Sequence, residues 1–218
     1  MSSFKESEKD GQIGEGIFEC FFKHMYHPKG WENYDARREP DAQEKDFDYL
    51  LIKNGVTYDI FIEQRMYLSG NPEVRKKRKE KAISVEVKTD FDITWSGNLC
   101  LETISHSMPG CFARTYADYF YYVGIDKKTN NVTCVYLMDV PLMRRYIHKF
   151  YARKDKDPNC GISENSRDDE GSSFYLANVE DINTFRKQVS YEQIIWDVTE
   201  QTKEALEKYG TTCEETNS

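Results

Sequence analysis

Apolar residues recur at helical spacing in three stretches of the chain. In residues 14–26 the largest apolar side chains fall on one face, at Ile17, Phe21 and Met25. This i, i+4, i+8 repeat predicts an amphipathic helix. The other two predicted helices are residues 141–151, which open on a proline that suits a first helical turn, and residues 191–209.

Shorter segments alternate apolar and polar residues and predict β-strands. Residues 48–53 and 56–62 flank Asn54-Gly55, a pair typical of a tight β-hairpin turn. The remaining predicted strands are rich in β-branched and aromatic residues, at 82–89, 98–104, 119–125, 132–138 and 174–177. The order of elements predicts an α/β fold, close to the border with α+β, in which helices flank a central mixed β-sheet.

Two polar stretches interrupt this pattern. Residues 69–81 are dense in lysine and arginine, and residues 153–173 are rich in Asp, Asn, Gly and Ser. Both predict long surface loops, which we take as insertions near 64–81 and 153–173. The ends of the chain are polar, so the predicted organisation is a tail, one domain and a second tail, at residues 1–11, 12–208 and 209–218.

Composition narrows the classes of protein. The 218 residues carry a formal net charge of -8 and 14% aromatic residues, which is too much core-forming bulk for a disordered chain. No apolar run reaches the roughly 20 residues that span a bilayer, and the charged start lacks an apolar signal core. These features predict a cytoplasmic protein without a membrane partner. The acidic balance argues against a purely charge-driven nucleic-acid binder, but a nucleic-acid enzyme needs carboxylates at its metal site.

The segment Ser84–Asp90 carries the clearest chemical signal. Side chains alternate on a strand, so Glu86 and Lys88 share one face. An exposed ion pair is the ordinary interpretation of Glu-x-Lys, and Asp126-Lys127-Lys128 fits the same pattern beside a turn. The match at Glu86-Val87-Lys88 differs from the second one in the acidic residues that could join it. Asp48 on a predicted strand and Glu15 on a predicted helix could converge with Glu86.

Together, Glu15, Asp48 and Glu86-Val87-Lys88 resemble the PD-(D/E)XK nuclease superfamily. Further segments follow in an order similar to that of small nucleases of phages and mobile elements, at Gly97–Glu102, Thr115–Tyr119 and Tyr175–Ile182. The resemblance covers about residues 12 to 190. It implies a restriction-endonuclease-like core and a phosphodiester hydrolase that is an endonuclease or an exonuclease.

The sequence departs from this family pattern around its aspartate. Phe47 rather than proline precedes Asp48, and the literal Pro40-Asp41 lies before the first predicted strand, where we interpret it as a turn. The spacing from Asp48 to Glu86 is long, and Asp59 would shorten it. We favour Asp48 because it opens a hydrophobic strand, and Asp59 stays open as the alternative.

The resemblance implies a role for each site residue. Asp48, Glu86 and the backbone carbonyl of Val87 would bind Mg²⁺ or Mn²⁺, hard cations that prefer oxygen ligands. Lys88 would orient the attacking water and offset charge on the phosphate. Glu15 would hold a second metal ion or a metal-bound water, unless it only complements the dipole of a first helical turn. Glu102 is either an acid that supports these ligands or an exposed side chain.

Substrate contacts are predicted in the basic stretch. Its cationic side chains could follow a phosphate backbone or belong to a solvated loop, and they are Arg75, Lys76, Lys77, Arg78 and Lys79. We expect nucleic acid as the partner, with DNA favoured over RNA, and leave a two-fold homodimer open. The alternative function is a nuclease-fold module that binds nucleic acid or assembles without catalysis.

Overall fold

A computed structural model describes residues 4–53, 55–58, 61, 72–105, 107–152, 157–167 and 171–210. The helices in this part of the chain are α1 (Phe4–Met25), α2 (Pro40–Lys45), α3 (Pro72–Lys79), α4 (Ile93–Ser96), α5 (Cys111–Arg114), α6 (Val140–Phe150), α7 (Val179–Gln188) and α8 (Thr199–Tyr209), with a 3-10 turn at His27–Lys29. The strands are β1 (Glu32–Asp35), β2 (Tyr49–Ile52), β3 (Ala82–Asp90), β4 (Asn98–Ser105), β5 (Met108–Pro109), β6 (Tyr119–Ile125), β7 (Val132–Asp139), β8 (Ile162–Arg167), β9 (Ser172–Asn178) and β10 (Ile195–Asp197).

The strands form two sheets, with the orders β1-β2-β3-β6-β7-β10 and β5-β4-β9-β8. Helices flank a mixed multi-strand sheet, so the prediction of a mixed α/β protein is confirmed at that level. The chain divides into two compact units. The first unit comprises the described residues up to Val87, the segment Tyr116–Tyr119 and the residues from Glu200 onward, and the second comprises Lys88–Thr115 and Phe120–Thr199.

The first unit is built on the antiparallel strands β1, β2 and β3. Tyr49 pairs with Asp35 on one side and with Val85 on the other. Helix α1 packs on Tyr49 through Phe18, whose ring centroid lies 4.8 Å from that of Tyr49. Small and aromatic residues form a separate buried cluster around Leu50, consisting of Ala36, Ala42, Phe47, Phe61, Ala82 and Ala117. Neighbouring residues of β2 therefore enter different apolar environments, as strand alternation requires.

The second unit has its own apolar core. Its four-stranded sheet is antiparallel throughout, and β7 pairs with β10 in the same sense. Tyr146 of α6 is fully buried, and its ring meets those of Phe150, Phe185 and Tyr191 at centroid distances of 5.0, 6.3 and 5.5 Å. The Tyr146 hydroxyl donates to the carbonyl of Cys160 at 2.6 Å, which gives the buried phenol a hydrogen-bond partner.

Several predicted elements are confirmed, but the predicted hairpin is wrong. Strand β2 pairs with β1 and β3 rather than with residues 56–62, and Tyr58 and Phe61 are helical. Asn54 lies outside the described residues. The short β1 and α2 were not predicted, and Pro40 begins a helix instead of a turn.

Both predicted loops contain regular structure. Helix α3 lies within residues 69–81, and β8 lies within residues 153–173, paired along β9. The predicted helix over 191–209 begins only at Thr199, after strand β10. The predicted N-terminal tail is helical from Phe4. Each missed element is polar or short, so it depends on tertiary contacts rather than on apolar periodicity.

The close approach of α5 to β4 gives a test of the second unit. A Cβ atom at Gly110 would lie 2.6 Å from Cγ and 2.7 Å from the carbonyl oxygen of Glu102. We expect Gly110→Ala to lower the free energy of unfolding by about 1–3 kcal/mol, because the backbone of β4 cannot move aside. Chemical denaturation measures this change. The matched variant Gly11→Ala has open space in α1 and should gain roughly 0.5–1 kcal/mol. Equal stability of the Gly110 variant and the parent would contradict this packing.

Candidate active site

Asp48 lies against the segment of β3 that contains Glu86. Its backbone N–H donates to the carbonyl of Val85 at 2.9 Å, and its carboxylate Oδ2 accepts the N–H of Val87 at 2.8 Å. The next residue, Tyr49, pairs with the same Val85 in the strand ladder. The carboxylate thus continues the pairing of β2 with β3 in place of a backbone acceptor. The structure brings the Asp48 side chain beside Glu86 and Val87.

Glu86 is a buried carboxylate, with 5% of the residue exposed. Strand alternation puts it on the same face as Ser84 and Lys88, and opposite to Val85. Lys88 is half-buried and follows on the same strand, two residues further on. A buried charge is costly unless other charges or hydrogen bonds compensate it. Two neighbouring carboxylates, one just before β2 and one in the middle of β3, form a place where a cation would be stabilised.

The described ion pair of Glu15 is with Arg37. The Arg37 guanidinium binds the Glu15 carboxylate and also donates to both oxygens of Asp35, at 2.8 and 2.7 Å. It lies over the ring of Tyr49, 5.1 Å from the centroid. Glu15 is in the middle of α1, so the interpretation as a first-turn residue is wrong. Its role in metal binding stays a prediction.

The network around Arg37 is charged in the folded protein. The hydrogen bond from Arg37 holds the pKa of Asp35 below its usual value, and the same bond raises the pKa of Arg37. Burial raises the pKa of Tyr49, so the phenol stays neutral and donates to Glu19 at 3.0 Å. The neighbouring Ala36 donates its N–H to the carbonyl of Asp48 at 2.9 Å. Charge pairing on α1 and β1 therefore adjoins the backbone that carries Asp48.

The donor chemistry of the predicted ligands fits a hard divalent cation. Asp48, Glu86 and the Val87 carbonyl offer only oxygen atoms, which Mg²⁺ and Mn²⁺ prefer. Within the described ranges, no group of three or more His, Cys, Asp and Glu side chains could hold a metal ion. The predicted set has only two such side chains. The alternative ligand Asp59 lies outside the described residues.

Glu102 lies in the second unit. Its carboxylate accepts the N–H of Cys111 at 3.5 Å, and its side chain packs against Gly110. These contacts join β4 to α5. The predicted supporting role of Glu102 in catalysis stays a prediction.

The basic stretch forms helix α3, and its side chains divide into two groups. Lys76 and Lys77 are exposed. Lys79 lies with its ammonium 4.1 Å from the centroid of the Tyr119 ring. The Arg75 side chain lies outside the described part of the structure. Only part of the predicted phosphate-binding set therefore faces solvent.

Arg78 is a correction to that set. Its side chain is 8% exposed, and its guanidinium binds both carboxylate oxygens of Asp118, which is itself 1% exposed. Asp118 also accepts the backbone N–H of Ser84 at 3.0 Å and the Ser84 hydroxyl at 3.1 Å. This cluster fixes α3 to β3 two residues before Glu86. Sequence reasoning missed it because Arg78 and Asp118 are far apart in the chain.

Comparison with known proteins gave no match, whether to a family model, to a curated protein or to a solved structure. In the part of the chain that the structure describes, none of the helices has the length and apolar character to cross a membrane.

The buried pair makes a sharp stability prediction. Arg78→Ala leaves the Asp118 carboxylate buried without its cation, so we expect the free energy of unfolding to fall by about 3–5 kcal/mol. The control Lys77→Ala removes an exposed cation from the same helix and should change it by less than about 0.5 kcal/mol. Urea denaturation of both variants measures the difference. Similar losses would show that Arg78 is not held as described.

Proposed function

We propose that this chain is a metal-dependent nuclease of the PD-(D/E)XK type, with a restriction-endonuclease-like core. It hydrolyses phosphodiester bonds in cytoplasmic nucleic acid, with DNA favoured over RNA. One observation carries the proposal. The Asp48 carboxylate accepts the N–H of Val87, so it lies beside the buried Glu86 on the strand that continues to Lys88.

Each residue of this set has a chemical task. Asp48, Glu86 and the carbonyl of Val87 supply the oxygen atoms that would hold Mg²⁺ or Mn²⁺. When bound, such an ion polarises the phosphate and lowers the pKa of a coordinated water. The Lys88 ammonium cannot bind a cation, but it donates hydrogen bonds to the attacking water and stabilises negative charge that develops on the phosphate. Lys88 therefore contributes to turnover rather than to metal affinity.

The second candidate is a module with this fold that binds nucleic acid without cleaving it. The exposed Lys76 and Lys77 favour binding in either case, because cations on one helix attract a polyanion to an acidic protein. The presence of Asp48, Glu86 and Lys88 together favours the enzyme. A cleavage assay on single-stranded, duplex, branched and RNA substrates with Mg²⁺ or Mn²⁺ separates the two.

Two variants of β3 test whether Lys88 acts in turnover alone while Glu86 acts in both turnover and metal binding. We expect Lys88→Met to lower the cleavage rate at least about 100-fold, because it removes a donor to the reacting phosphate. Its affinity for Mn²⁺, measured by titration calorimetry, should stay within about twofold. We expect Glu86→Gln, which preserves shape, to lose both cleavage and Mn²⁺ binding.

The control is Lys128→Met, which alters the other Asp-x-Lys match in an exposed turn and should cleave like the parent. Equal loss of Mn²⁺ affinity in the Lys88 and Glu86 variants would contradict the proposed role of Lys88. A parent protein that cleaves none of the four substrates would overturn the enzymatic function.

The basic helix gives a separate prediction on binding. We expect Lys76→Ser with Lys77→Ser to weaken DNA binding and to flatten its salt dependence, by roughly one unit of slope for each phosphate that the variant no longer neutralises. Arg78 is left unchanged because it is buried against Asp118. The control pair Lys203→Ser and Lys208→Ser removes two cations from α8 and should leave the slope unchanged. An unaltered slope in the α3 variant would exclude this helix from the substrate path.

A further inference from the structure

Tyr116 is an exposed aromatic residue next to a fixed piece of backbone. The residue is 52% exposed, whereas the next two, Ala117 and Asp118, are 1% exposed. Ala117 belongs to the apolar cluster of the first unit, and Asp118 is bound by Arg78 and Ser84. The two residues that follow Tyr116 therefore hold its backbone in place.

This segment connects Tyr116 to the strand that bears Glu86. The N–H of Asp118 donates to the carbonyl of Ser84 at 2.9 Å and to its hydroxyl at 3.0 Å. An extended chain spans about 3.3–3.6 Å per residue, so Tyr116 starts within roughly 7 Å of Asp118, and Glu86 lies a similar distance beyond Ser84. Tyr116 thus precedes, by two residues, the point at which its segment is hydrogen-bonded to the strand of Glu86.

Positive charge adjoins the same segment. The Arg78–Asp118 pair fixes α3 to it, and the Lys79 ammonium lies over the ring of Tyr119. Two further cations of α3, Lys76 and Lys77, face solvent. An exposed aromatic residue on a segment to which a lysine-bearing helix is fixed matches a ligand that combines flat aromatic groups with an anionic backbone. Single-stranded nucleic acid has this chemistry, because its unpaired bases can stack on protein rings.

We propose that Tyr116 stacks on an unpaired base of the substrate while Lys76 and Lys77 contact its phosphates. The inference rests on the proposed function, since it takes nucleic acid as the ligand, and it names the substrate class. Bases of an intact duplex are stacked on one another and do not offer a face to Tyr116. The protein therefore prefers single-stranded or branched nucleic acid over blunt duplex.

The test is binding by fluorescence anisotropy, with the full chain in EDTA so that no substrate is cleaved. The probes are a labelled single strand of mixed sequence and a blunt duplex of equal length. Tyr116→Ala should weaken single-strand binding between about 5-fold and about 150-fold, the range for loss of one base stack. Duplex binding should change by less than about twofold. Tyr116→Phe keeps the ring and should bind like the parent.

A matched control is Met108→Ala, which removes another exposed apolar side chain, 66% exposed, from the second unit and should leave both affinities unchanged. Unchanged single-strand binding by Tyr116→Ala would overturn the inference, as would an equal loss on duplex or the absence of binding by the parent. The outcome of the cleavage assay does not depend on the outcome of this binding test. A parent that binds single strands through Tyr116 but cleaves nothing would refute the nuclease and keep the stacking site.

Discussion

Two aspartates fix the strand on which the candidate chemistry depends. Asp118 accepts the N–H of Ser84, and Asp48 accepts the N–H of Val87. Glu86 lies between these two points and is almost fully buried. A buried backbone N–H needs an acceptor, so each carboxylate serves a structural need of β3 while it is held in one place. These two bonds hold β3 on either side of Glu86.

The two aspartates are held by different kinds of hydrogen bond. Asp118 is buried, and the Arg78 guanidinium binds both oxygens of its carboxylate. This ion pair stabilises the fold. Asp48 donates its backbone N–H to Val85 and accepts that of Val87, and these two bonds order the residue through neutral groups. The same type of side chain thus binds a buried guanidinium at one point of β3 and accepts a backbone N–H at the other. Burial and the identity of the partner make the difference, and neither can be read from the aspartates alone.

The sequence predicted those elements whose apolar pattern matches their surroundings. Strand β3 and the helices α1 and α6 were predicted because burial on one side imposes a period on their residues. Helix α3 and strand β8 carry few apolar residues, so the contacts that hold them, such as Arg78 with Asp118, come from distant parts of the chain. The Asn54-Gly55 turn signal was misleading, because β2 finds better partners in β1 and β3. The proximity of Asp48 to Glu86 was predicted, but the use of its carboxylate as a backbone acceptor was not.

Glu15 has a charged partner that the order of the motifs does not reveal. Its carboxylate pairs with Arg37, whose guanidinium lies over Tyr49. Tyr49 pairs with Val85, and strand alternation sends Val85 and Glu86 to opposite faces of the sheet. Glu15 therefore neutralises Arg37 beside the ring of Tyr49. Asp48 and Glu86 are the two carboxylates that the contact of Asp48 with β3 brings to neighbouring positions, and Lys88 follows Glu86 by two residues in the sequence of the same strand.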